Sequence, residues 1–135
     1  MTNPAGYSGT PLIKKLGLKP EHKAIIINSP KPYSIVINHE EDWQEIANVS
    51  ELSGEFDFIH VFNPTIAAIN AALPVCEKHL LPGGMIWASW PKKSSNLWID
   101  ATGNNVRTAA FALGLVDVKV CAVDKDWSAL KLMRR

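Results

Sequence analysis

Unbroken apolar runs alternate along this chain with segments whose apolar positions recur every three or four residues. Lys23-Ala24-Ile25-Ile26-Ile27-Asn28 and Phe56-Asp57-Phe58-Ile59-His60-Val61-Phe62 are apolar at both odd and even positions. That pattern predicts strands covered on both faces, as in a parallel sheet. Tyr33-Ser34-Ile35-Val36-Ile37 has strand composition, yet a short crossover helix suits its place after the first strand better, and residues 33–49 stay open between the two. Glu40-Glu41-Asp42 reads as a solvated loop, with no convincing second strand ending in an acidic residue.

Helical spacing predicts three helices. Thr10-Pro11 reads as an N-cap followed by proline at the first helical position, with Leu12, Ile13 and Leu16 on one face and Gly17 as the stop. The preceding Tyr7-Ser8-Gly9 reads as an ordered arm. From about Thr65 to Leu80, Ile66, Ile69, Leu73, Cys76 and Leu80 form an apolar stripe, which Pro74 should kink or divide. Pro82-Gly83-Gly84 then opens a strand over Met85–Trp90. A third helix, from about Gly103 to Leu113, turns Val106, Ala109, Ala110 and Leu113 inward, with Gly114 at its end. The last strands, Val116–Val123 and Ala129–Met133, are joined by Asp124-Lys125-Asp126-Trp127, a turn short enough to require antiparallel pairing.

Alternating strands and helices predict one α/β domain over residues 1–135: a Rossmann-like, mostly parallel sheet flanked by helices and ending in an antiparallel hairpin. Composition agrees, since 47% of residues are apolar and 20% charged, a globular balance. No apolar run approaches the ~18–20 residues that span a bilayer, and the first residues lack the pattern of a signal peptide. Cys76 and Cys121 lie in apolar segments without metal-ligand spacing, which suits reduced core thiols in a cytoplasmic protein. A net charge of +1 without a basic stripe argues against nucleic-acid binding.

In open α/β sheets, ligands bind outside the carboxyl ends of the strands, near the switch in strand order. That rule collects Asn28, Ser29, Asn63, Trp90, Lys92, Lys93 and Trp127 as ligand-binding candidates. Two lysines beside a tryptophan suit an anionic ligand with a planar part; a solvated loop is the simpler reading of the same residues. Asp124 is the one catalytic candidate, set against a turn in which its carboxylate accepts backbone N–H groups. Trp87 reads as core, and Trp98 as the tryptophan better placed for an exposed contact. His60 reads as a hydrogen-bonded core residue, while His22, His39 and His79 show no ligand spacing. His39-Glu40 begins like a zinc-protease motif, but Trp43 and the lack of a second histidine end the match, so no metal is expected.

The aspartate-bearing strand, the helix and Leu81-Pro82-Gly83-Gly84 resemble the second half of a class I methyltransferase. Such enzymes bind S-adenosylmethionine over a glycine-rich turn after the first strand. Here that place reads Asn28-Ser29-Pro30-Lys31-Pro32, without glycine, so S-adenosylmethionine is not expected. A longer resemblance is to the bacterial family Domain of Unknown Function 3052. Tyr7–Leu12 with Lys14–Gly17, Trp90-Pro91-Lys92-Lys93 with Ser95, and Gly114–Asp124 with Trp127-Ser128 carry it, and Leu97–Asn105 departs from it. That resemblance implies a fold and no reaction.

The sequence thus leads to a non-catalytic domain that binds a small anionic ligand or a protein partner at the carboxyl edge, away from nucleic acid and membrane. The alternative is an enzyme on a small anionic substrate, with a divergent methyltransferase as one form of it, Lys92 and Lys93 holding the anion and Asp124 as acid or base.

Overall fold

The computed structural model of the chain describes residues 10–135, and the expectation for the arm Tyr7-Ser8-Gly9 lies outside them. Ten main elements follow one another: α1 (Leu12–Leu16), β1 (Ala24–Ile27), α2 (Tyr33–Ile37), β2 (Gln44–Ile46), β3 (Phe56–Phe62), α3 (Ile66–Lys78), β4 (Leu80–Pro91), α4 (Gly103–Ala112), β5 (Leu115–Ala122) and β6 (Trp127–Arg134). All six strands form one sheet in the order β2-β1-β3-β4-β6-β5. The first four are mutually parallel, and β6 runs antiparallel to both β4 and β5.

Two apolar layers cover the sheet. Ile25, Ile27, Ile59, Val61 and Ile86 point to one face, where Ile69, Leu73 and Cys76 of α3 and Val106 and Ala110 of α4 seal them. Ile26, Phe58, Phe62 and Trp87 point to the other, under Leu16 of α1 and Tyr33, Val36 and Ile37 of α2. Apolar side chains of both parities on β1 and β3 therefore serve two cores, which is the physical reason for their unbroken hydrophobic runs. The Trp87 indole N–H donates to the Leu16 carbonyl at 2.8 Å, tying α1 to the centre of the sheet.

Tyr33–Ile37 form the short crossover helix that suited their position, despite their β-branched side chains, because Pro32 starts the turn and left-handed Asn38 stops it after five residues. Several other expectations are corrected. A second strand does exist: Gln44–Ile46 pairs with β1, and its polar, largely exposed side chains hid it. Pro74 does not divide α3, which runs unbroken from Ile66 to Lys78 with the Thr65 hydroxyl accepting the Ala68 N–H at its start. At α1, Pro11 rather than Thr10 occupies the N-cap, with no side-chain cap. The strand expected from Met85 already begins at Leu80, so Pro82-Gly83-Gly84 lies inside β4, and the β3–β4 register shifts between Phe56 and Phe58.

No helix among the described residues is long and apolar enough to cross a membrane.

Candidate functional site

Strand order reverses at β1. From β1 the chain steps outward to β2, then returns to place β3 on the opposite side of β1. Crevices in open α/β sheets lie at such a point, outside the carboxyl ends. Here two asparagines stand at it: Asn28, directly after β1, and Asn63, directly after β3.

Asn28 adopts a left-handed backbone, φ 59°, which asparagine tolerates better than most residues. Its amide Nδ2 donates to the Phe62 carbonyl at 3.1 Å, bridging β1 to β3, while its side chain stays exposed. The Ser29 hydroxyl donates to the Lys31 carbonyl at 2.6 Å, closing the turn on itself. Asn63 is buried, its backbone N–H donating to the Ser89 carbonyl at 2.9 Å and its Nδ2 to the same carbonyl at 3.1 Å. Among the described residues no donor reaches Asn63 Oδ1.

The remaining candidates gather at the β4–β6 end of the same edge. Pro91 pairs with Trp127, and the Lys92 N–H donates to the Asp126 carbonyl at 2.8 Å. Lys93 is exposed, its ammonium 6.0 Å from the centre of the Trp98 ring. Half-buried Trp90 turns toward α4, where a Cβ built on Gly103 would stand 3.1 Å from its ring. Trp127 is buried, its ring edge-on to Phe62 at 5.2 Å, so it belongs to the core of that face. Asp124 Oδ1 accepts the N–H groups of Asp126 and Trp127, each at 2.8 Å, which is the turn geometry weighed against an acid or base role. No ion pair among the described residues joins Asp124 to Lys92 or Lys93.

Some participants were not singled out beforehand. Asp100 Oδ1 accepts the Ile66 N–H at 2.9 Å, and the Ser95 hydroxyl donates to Asp126 Oδ1 at 2.8 Å. These bonds fix the loop after β4 to the start of α3 and to the β5–β6 turn. Partners so distant in sequence leave no local signal. No grouping of three His, Cys, Asp or Glu side chains suited to a metal occurs among the described residues.

No family model matches the sequence, and no curated protein matches it, so the resemblance to Domain of Unknown Function 3052 rests on its motifs alone. Solved structures do match. Magnesium protoporphyrin IX methyltransferase from Synechocystis PCC 6803 with bound S-adenosylmethionine aligns with a TM-score of 0.65 at 12% identity, over 92% of this chain and 76% of that one. A methyltransferase from Pyrococcus furiosus aligns with a TM-score of 0.61 at 15% identity, over 98% of this chain and 86% of that one. Ribosomal protein L11 methylase from Lactobacillus delbrueckii subsp. bulgaricus aligns with a TM-score of 0.60 at 12% identity, over 91% and 74%. The fold is methyltransferase-like.

Two expectations are thereby corrected. The leaning away from an enzyme is overturned, since the neighbours described above are all methyltransferases. The exclusion of S-adenosylmethionine is overturned as well, since the cyanobacterial neighbour holds it and a second structure of that enzyme holds S-adenosylhomocysteine. That expectation rested on a missing glycine and on the lack of a second strand ending in an acidic residue. The left-handed backbone at Asn28 shows that a left-handed turn after β1 can be made without a glycine.

Proposed function

We propose that this chain is a divergent S-adenosylmethionine-dependent methyltransferase domain acting on a small anionic substrate. The observation that carries the reading is the pair Asn28 and Asn63 at the β1–β3 switch point, in a fold whose neighbours hold that cofactor. When bound, the cofactor supplies an activated methyl group on a sulfonium.

The chemistry of the edge fits such a ligand in two respects. Asn28 holds the chain in a left-handed turn where the backbone must pass close to a ligand. Asn63 Oδ1 offers an acceptor for an N–H or O–H group of the ligand, with its own donors already used by the protein. Pro30 and Pro32 remove two backbone donors from the turn, which shifts binding toward the side chains of Asn28 and Ser29. Lys92 and Lys93, on the loop after β4, supply positive charge for the substrate's anionic group.

Calorimetric titration with S-adenosylmethionine and S-adenosylhomocysteine tests the reading. Saturable binding of either, weakened in Asn63→Ser while that variant remains folded, is the expected result. A folded wild-type chain that takes up neither compound at millimolar concentration overturns it.

A further inference from the structure

Charge is distributed unevenly across the sheet. Residues 40–57 hold seven of the thirteen carboxylates and no lysine or arginine. That segment contains β2, one edge strand, whereas β5 is the opposite edge, so the six-strand width of about 24 Å separates the two. The near-neutral total thus leaves a charge of +8 on the rest of the chain, three of whose lysines meet beside β5.

At that basic side, Lys14 and Lys15 of α1 and Lys119 of β5 line an open depression of about 380 Å³, with Thr10 and Cys121 also on its wall. Its volume lies within the range of small-molecule sites. No acidic side chain lines it, and none of the three lysines forms an ion pair among the described residues. The Lys119 ammonium donates to the Lys15 carbonyl at 3.4 Å, which folds it over the end of α1, the helix that carries Lys14 and Lys15. Burial pushes the Cys121 thiol up, while the charges of Lys15 and Lys119 pull it the other way. Like charges held together without a counter-charge are unfavourable, and a dianion relieves the repulsion.

We propose that the depression between α1 and β5, walled by Lys14, Lys15 and Lys119, is a binding site for a small phosphate-bearing anion. Thr10 adds a hydroxyl at the rim, and lysine suits phosphate as a point charge with three donors. The site stands on these residues whether or not methyl transfer occurs, so the two readings fail separately.

Titration of the ¹⁵N-labelled full chain with inorganic pyrophosphate at low ionic strength tests it. Saturable shifts at the amides of Lys14, Lys15, Lys119 and Cys121 are expected. Affinity falls at least about tenfold in Lys14→Gln/Lys119→Gln and stays unchanged in Lys78→Gln, on α3 of the other face. Shifts confined to Lys92 and Lys93 overturn the proposal, as does an equal loss in both variants. So does binding to vesicles containing phosphatidic acid with none to the free anion.

Discussion

The Tyr33 hydroxyl lies 2.7 Å from His60 Nδ1, and both side chains are fully buried. His60 Nε2 is hydrogen-bonded in turn to the Ser89 hydroxyl at 2.7 Å, and the ring stacks on Phe62 at 4.3 Å. A helix after β1 is thus fastened through one imidazole to β3 and β4. Burial pulls His60 from 6.5 down to about 3, so the folded chain holds it neutral. An unfolded chain binds that proton below about 6.5, and stability must then fall as pH drops from 6.5 towards 3. The slope is about 1.4 kcal/mol per pH unit at most. Urea midpoints at a series of pH values measure it, and a flat profile over that window contradicts the assignment.

Removing the hydroxyl isolates the same network at constant pH. Tyr33→Phe keeps the ring that meets Trp43 and Phe62 edge-on but leaves His60 Nδ1 without its partner. A buried group left unpaired costs about 1–3 kcal/mol, and thermal unfolding of the variant at neutral pH should show that loss.

Gly83 and Gly84 are neighbours with opposite requirements. Gly83 has φ 78° and nothing within 4 Å of an added Cβ, whereas a Cβ on Gly84 would meet the Leu81 and Asp57 carbonyls at 2.9 and 3.0 Å. Gly83→Ala therefore carries only backbone strain, roughly 1 kcal/mol. Gly84→Ala must displace backbone between β3 and β4, and about 2–3 kcal/mol is expected. Chemical denaturation of the two variants gives the order, and equal losses would contradict it.

Legibility followed burial. β1 and β3 are readable because both faces are apolar, and the carboxyl-edge rule picks out Asn28 and Asn63 from the sequence. β2 is not, since a three-residue edge strand with exposed Gln44 and Glu45 carries no period-two signal. Pro74 does not divide α3 because its missing N–H is one bond in a helix held by Ile69, Ala72, Leu73 and Cys76 packed on the sheet. Trp127 looked like a turn residue, yet it opens β6 and faces inward. The expectation against the cofactor drew in part on glycine as the route to a left-handed turn, and Asn28 reaches φ 59° without it.

Asn28 separates conformation from hydrogen bonding at the proposed site. Asn28→Ala keeps neither the ease of φ 59° nor the donor to the Phe62 carbonyl, and about 1–2 kcal/mol of stability should go. Asn28→Gly keeps the conformation and loses only the partly buried bond to Phe62, so its stability should fall by less than the alanine variant's, about 0.5–1 kcal/mol. Adenosyl-ligand affinity should track the same order. A glycine variant as damaged as the alanine one would show that the side chain, and not the turn, is what matters there.

Asp124 offers a clean contrast between a turn and a catalyst. Asn at this position keeps an Oδ1 that accepts the Asp126 and Trp127 N–H groups, while alanine removes it. Asp124→Asn should therefore fold with a loss under about 0.5 kcal/mol, and Asp124→Ala should lose about 1 kcal/mol. An acid or base would respond the other way, because the amide abolishes proton transfer however well it fits the turn. Single-turnover methyl transfer, once an acceptor is in hand, should proceed in Asp124→Asn at the wild-type rate. A rate reduced by orders of magnitude in a variant of unchanged stability would return Asp124 to the chemistry.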